Sequence, residues 1–259
     1  MSRINKVFQE LNTRGEKALI AYLTGGFPSA RKTRETILDM VAGGADIIEI
    51  GIPFSDPVAD GPVIQLASQQ ALESGIGIRD LLTVVQELRE ETSVPIAFMT
   101  YYNPILQFGL EGFCRQSVNA GADGFIVPDL PAEENTPLQD LADQYGLDLI
   151  PLVAPTSPPE RIKAICSRGS GFVYCISVTG VTGGNAGINT DLYTLGSTVK
   201  SCTSLPVAIG FGVSDPATAR QVAPHADAVV VGSALVRLMI DNRYEEIQDF
   251  VRELKRAIN

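Results

Sequence analysis

Eight short runs of apolar and β-branched residues recur along the chain, each separated from the next by a stretch whose apolar positions have helical spacing. That alternation restricts the fold more than any other feature. The runs are 18–23, 47–52, 94–99, 123–127, 147–153, 172–176, 205–211 and 226–232. Strands that read as nearly continuous apolar runs are covered on both faces, which calls for parallel pairing and crossover helices. Eight such units in 259 residues predict an α/β fold, a single (β/α)8 TIM barrel forming one domain over residues 1–259. The spacing of Ile4, Val7, Phe8 and Leu11 adds an extra N-terminal helix. The two helical stretches 63–72 and 79–90 add an extra helix after strand two. A doubly wound open sheet is the alternative that periodicity leaves open.

Composition narrows the function classes. A net charge of −10 disfavours nucleic acid and anionic membranes, whose phosphates would be repelled across most of the surface. No apolar run approaches the roughly 20 residues needed to span a bilayer. The first residues lack a long apolar signal core, so a cytoplasmic location is expected. Cys114, Cys166, Cys175 and Cys202 stand singly and His225 is the only histidine; no metal site is expected from that spacing.

In a barrel of this kind, function lies at the carboxyl ends of the strands. The second run passes abruptly into a polar loop, DIIEIGIPFSDPVADGP, from Asp46 to Pro62. Glu49 places an ionisable carboxyl among isoleucines, which costs several kcal/mol unless it is paired, hydrogen-bonded or neutral. Asp60 follows on the loop. One buried and one polar-loop carboxylate allow one to be protonated while the other is charged, the arrangement acid-base chemistry needs. A structural ion pair for Glu49, and a turn or helix-capping role for Asp60, are the alternatives. Tyr101, Tyr102 and Asn103, then Asp129, then Tyr174 fall on the same rim. The glycine-rich stretch Ser177 to Asn189 cannot pack a core and reads as a lid, a mobile connection with no task being the alternative. Gly210-Phe211-Gly212 and Gly232-Ser233, after the last two strands, suit a phosphate held by backbone N–H groups and a helix terminus.

Those residues also carry a resemblance. EIGIPFSDPVADGP at Glu49 to Pro62, YYNPI at Tyr101 to Ile105, VPDLP at Val127 to Pro131, SVTGVTG at Ser177 to Gly183, GFGV at Gly210 to Val213 and VVVGSALV at Val229 to Val236 are similar to the tryptophan synthase alpha subunit family. The family often has Gly-Asp-Pro where this chain has Gly26-Phe27-Pro28. The resemblance implies cleavage of indole-3-glycerol phosphate to indole and glyceraldehyde 3-phosphate. It further implies proton transfer by Glu49, pairing of Asp60 with the indole N–H, and assistance from Tyr174 near the glycerol hydroxyls. Gly183, Gly212, Gly232 and Ser233 would contact phosphate; Tyr22, Tyr101, Ile126 and Phe211 would line the ring pocket, and Thr182 would close over Asp60. No cofactor is implied in this chain. The implied partner is a pyridoxal-phosphate beta subunit in an α2β2 complex. The stiff loop bearing Pro53, Phe54 and Asp56 would face it, since such a loop loses little entropy on docking; Phe54 packing inward is the alternative. A stand-alone lyase of the same family, a sugar-phosphate isomerase or epimerase, and a non-catalytic regulatory subunit are the other classes considered.

Overall fold

The computed structural model describes residues 1–176, 190–210 and 212–259, with the backbone alone for 190–193. In chain order the elements are α1 (Arg3–Arg14), β1 (Ala18–Thr24), α2 (Ala30–Gly43), β2 (Ile47–Gly51), α3 (Pro62–Glu73), α4 (Ile78–Leu88), β3 (Ile96–Met99), α5 (Tyr102–Phe108), α6 (Leu110–Ala120), β4 (Gly124–Ile126), α7 (Thr136–Tyr145), β5 (Asp148–Ile150), β6 (Leu152–Val153), α8 (Pro159–Cys166), β7 (Val173–Cys175), α9 (Thr190–Cys202), β8 (Val207–Ile209), α10 (Pro216–Val222), β9 (Ala228–Val231), α11 (Ser233–Ile240) and α12 (Ile247–Ile258).

The strands form one parallel sheet in the order β5-β4-β3-β2-β1-β9-β8-β7-β6. The fifth predicted run is one stretch of chain interrupted at Pro151, which has no N–H to give a ladder. Its first half pairs with β4, Gly124 opposite Asp148, and its second half with β7, Leu152 opposite Tyr174. The two ends of the sheet therefore meet at Pro151, whose carbonyl accepts from the Tyr174 N–H at 2.9 Å. The eight expected units close into a barrel rather than an open sheet.

Alternation along each strand divides the core in two. Ala18, Ile20, Ile47, Ala97, Ile126, Ile150, Phe172, Ala208 and Val230 form the cluster inside the barrel, joined by Ile4, Phe8 and Leu11 of α1. The intervening Leu19, Ile48, Phe98, Phe125, Leu149 and Val173 pack outward beneath the helices. The N-terminal helix thus plugs the amino end of the lumen, with the Phe8 and Phe172 rings 5.9 Å apart. Arg3 and Arg89 hold it there through Asp123, at 2.9 and 3.0 Å.

The helix after strand two is present as the pair α3 and α4. A second added helix, α5, was not legible in the sequence. Its Tyr-Asn-Pro start resembles a turn, yet proline fits the first turn of a helix because its missing N–H would have had no partner. Helix α7 likewise has a proline, Pro137, in its first turn.

Candidate active site

Glu49 is the middle residue of β2, not its last, and it stands opposite Tyr22 of β1 and Ala97 of β3. By the alternation that turns Ile47 inward, its side chain projects into the lumen. It is 1% exposed, and among the described residues neither carboxylate oxygen has a hydrogen-bond partner. Among the described residues no cation pairs with it, so nothing there makes it a structural ion pair. Burial pushes Glu49 up to about 8, with repulsion from Asp60 acting in the same direction. An isolated carboxyl out of water favours its neutral form.

Asp60 lies on the β2–α3 loop, half-buried. Burial raises it to about 6, and a hydrogen bond from Tyr101 opposes the rise. The Tyr101 hydroxyl donates to Asp60 Oδ2 at 3.1 Å and accepts from the Ala59 N–H at 2.9 Å. Asp60 does not cap α3, whose N-cap is Gly61 without a side-chain bond. At neutral pH the pair therefore holds one proton and one charge, the proton on Glu49.

Phenols surround the carboxylates. Burial, followed by the Asp60 charge, holds Tyr22 well above the ordinary tyrosine range. Burial, followed by the Glu49 charge, does the same for Tyr174. Both stay neutral donors. Two glycines that sequence reasoning did not single out for this purpose make room for them. A Cβ on Gly51 would sit 2.2 Å from the Tyr22 hydroxyl, and one on Gly210 would sit 2.6 Å from that of Tyr174. The signal was a glycine at an inward strand end, a cue for close approach.

Pairing of β8 with β9 sets the loops carrying Gly212 and Gly232 side by side. Gly212 has φ 68°, which disfavours any side chain. Gly232 is the N-cap of α11 and Ser233 is that helix's first residue, so the opening N–H groups have no partner within the helix. A Cβ on Gly232 would lie 3.2 Å from the Tyr22 ring. The glycine loops and the carboxylates thus share one rim.

Ile126 closes β4 and belongs to the lumen cluster. Asp129 serves elsewhere: its Oδ1 accepts from the Tyr102 N–H at 2.8 Å, capping α5. On the β2–α3 loop Pro53 is buried and Phe54 half-buried, while Asp56 is exposed. The Phe54 ring lies 5.3 Å from that of Tyr101. Thr182, Gly183 and Phe211, with the stretch 177–189, lie outside the described residues. Among the described residues no cluster suits a metal ion.

The arrangement can deliver a proton from an apolar cavity, hold a cation against a neighbouring carboxylate and seat an anion between two glycine loops. Comparison with known proteins points the same way. The model of the family "Tryptophan synthase alpha chain" matches residues 8–258. The tryptophan synthase alpha chain of Carboxydothermus hydrogenoformans is 49% identical over 98% of this chain and 96% of its own length. That of Caldanaerobacter subterraneus is 48% identical over the whole of both. Among solved structures, an Aquifex aeolicus protein superposes with a TM-score of 0.93 at 44% identity, covering 99% of each chain. A Mycobacterium tuberculosis tryptophan synthase chain gives 0.93 at 37% identity over 99% of this chain and 98% of its own. The chain belongs to the tryptophan synthase alpha chain family, lyases that cleave indole-3-glycerol phosphate in tryptophan biosynthesis.

Proposed function

We propose that Glu49 and Asp60 together carry out the aldol cleavage. The indole C3 is bonded to a glycerol carbon bearing a hydroxyl. Glu49, protonated at neutral pH, gives its proton to C3. The ring becomes an indoleninium, and ionised Asp60 accepts its N–H and balances the charge. Glu49, now a carboxylate, takes the proton of the adjacent hydroxyl while the carbon–carbon bond breaks and its electrons return to the ring. Indole and glyceraldehyde 3-phosphate leave, and the hydroxyl proton has already restored Glu49 to its starting form. The two side chains suffice to balance the step.

The other roles rest on the motifs shared with the family and, for the described residues, on their lying at one rim. Tyr174 faces the glycerol hydroxyls as a neutral donor, and Gly212, Gly232 and Ser233, with Gly183, hold the phosphate. Tyr22, Tyr101 and Ile126, with Phe211 and Thr182, enclose the ring. Residues 1–259 act as one barrel domain. The partner is a beta subunit carrying pyridoxal phosphate, joined in an α2β2 complex through the loop with Pro53, Phe54 and Asp56. No helix among the described residues is long and apolar enough to cross a membrane, and we place the complex in the cytoplasm.

The observation that carries this reading is the wholly buried Glu49 carboxyl near Asp60, without a hydrogen-bond partner among the described residues. Indole release from indole-3-glycerol phosphate by the purified chain tests it. A folded Asp60→Asn chain should bind substrate and turn over at least about tenfold more slowly, since the charge opposite the ring cation is gone. Equal rates would overturn the assignment.

A further inference from the structure

A wall for an indole ring needs no hydroxyl, yet Tyr22 carries one into the lumen. Tyr22 stands directly opposite Glu49 in the β1–β2 register, and by the alternation of the strands both side chains turn inward. The Cβ end of Tyr22 lies against Gly232 of the phosphate loop, while its hydroxyl reaches across to β2 and fills the place of a Gly51 side chain, 2.2 Å from where that Cβ would be. Gly51 is the next inward position after Glu49 on the same strand. Two residues along a strand span roughly 7 Å, and the Glu49 side chain is long enough to cover most of that gap. A rotation of Glu49 therefore brings its carboxyl to the phenol.

A buried hydroxyl costs free energy unless it serves as a donor or acceptor. This one lies in the field of both carboxylates, Asp60 more strongly than Glu49, with Thr24 beside it. Glu49 is the group that lacks a donor: among the described residues neither of its oxygens has a hydrogen-bond partner. That suits the neutral acid but not the carboxylate left when its proton goes to indole C3, which is buried within reach of the Asp60 charge. We propose that the Tyr22 hydroxyl donates a hydrogen bond to the Glu49 carboxylate formed during cleavage and holds it in place until it takes the glycerol hydroxyl proton. Tyr22 keeps its own proton throughout, so it is a positioning residue and the proton balance of the reaction is unchanged. The Glu49 charge acts on Tyr174 as well. The Tyr174 hydroxyl, however, is placed at Gly210, just after β8, which is three strands from β2 in the sheet order.

The inference rests on the acid role proposed for Glu49. Tyr22→Phe keeps the ring and removes the donor, with Tyr174→Phe as its control; kcat, KM and the pH profile of kcat/KM for indole-3-glycerol phosphate are measured on the purified full-length chain. In Tyr22→Phe, kcat should fall about tenfold with KM within about twofold, as expected when a hydrogen bond to a charge made only during the reaction is lost. The basic limb that Glu49 sets near 8 should move to higher pH by about one unit, because the charged form has lost its donor. Tyr174→Phe should leave that limb in place. A limb unmoved by Tyr22→Phe, a limb moved only by Tyr174→Phe, or a loss confined to KM would each overturn the proposal. Full turnover in a folded Glu49→Gln chain would overturn the catalytic reading and this inference together. A basic limb present in the unmodified chain and unmoved in Tyr22→Phe would overturn this inference alone.

Discussion

The Tyr101 hydroxyl reaches from the end of β3 to the β2–α3 loop and donates to Asp60 Oδ2 at 3.1 Å. The bond favours the charged carboxylate and opposes the rise that burial imposes. Tyr101→Phe should therefore raise the Asp60 pKa above about 6, and the acid limb of kcat/KM should move to higher pH. A several-fold loss is expected at pH 6, shrinking as pH rises. A pH–rate profile of the variant checks this; an unmoved acid limb would separate Tyr101 from Asp60.

The two carboxylates also fix the profile of the unmodified chain. Cleavage needs Asp60 ionised and Glu49 protonated, so kcat/KM should form a bell between limbs near 6 and 8. Glu49→Gln should lower turnover by about 10²-fold or more. Its stability should respond in the opposite sense. Because the folded state raises the Glu49 pKa, its protonated form is compatible with the fold below the unfolded value, and stability is lost as pH climbs toward about 8. The loss approaches 1.4 kcal/mol per pH unit in that window. The glutamine cannot ionise, so its melting temperature should fall less from pH 5 to pH 9; parallel melting curves would deny the shift.

Gly232 and Gly51 separate binding from packing. Gly232→Val should weaken glycerol phosphate binding far more than it lowers the melting temperature, because its Cβ would meet the Tyr22 ring at 3.2 Å, where a shift of a few tenths of an ångström suffices, and the rest of the side chain would meet the ligand. Gly51→Ala has no such freedom. Its Cβ would lie 2.2 Å from the Tyr22 hydroxyl, so the phenol must leave its place, at a cost of about 1–3 kcal/mol. Calorimetry with and without glycerol phosphate distinguishes the two. Equal effects on affinity and melting in Gly232→Val would reduce that glycine to a turn residue.

Much of this was readable in the residue order, and the parts that were not share a physical reason. Glu49 was conspicuous because a carboxyl among β-branched neighbours violates a local pattern, and period-two alternation then aimed it into the lumen. Asp60 was less decided, since Asp-Gly-Pro is as good a turn as a site; its bond from Tyr101, 41 residues away, supports the site and lies outside any local window. Asp129 went the other way. It does follow β4 at the rim, but its carboxylate accepts from the first N–H of α5 across the loop gap, a non-local bond that no sequence window contains. Leu147–Val153 read as one strand because Pro151 breaks the ladder without changing the apolar pattern.

The last prediction concerns how a partner would act on this site. Asp56 and Val58 are exposed, Val58 at 83%, while Phe54 turns back onto the Tyr101 ring. Tyr101 in turn holds Asp60 and the Ala59 N–H. A subunit seated on the outer edge of this loop would restrict it. The restriction would pass through Phe54 to the hydroxyl that sets the charge on Asp60, without touching the substrate. Ordering a loop already stiffened by Pro53 and Pro57 costs little entropy, which suits it to docking. Asp56→Ala should then weaken co-elution with a cognate beta subunit and leave the lone chain's indole release nearly unchanged. Phe54→Ala should instead retain most of the affinity but lose most of the acceleration on mixing, because the ring contact that links the loop to Tyr101 is gone. Size-exclusion chromatography and indole release, each with and without the beta subunit, separate the two. Full acceleration of the Phe54→Ala chain would show that the partner reaches Asp60 by another route.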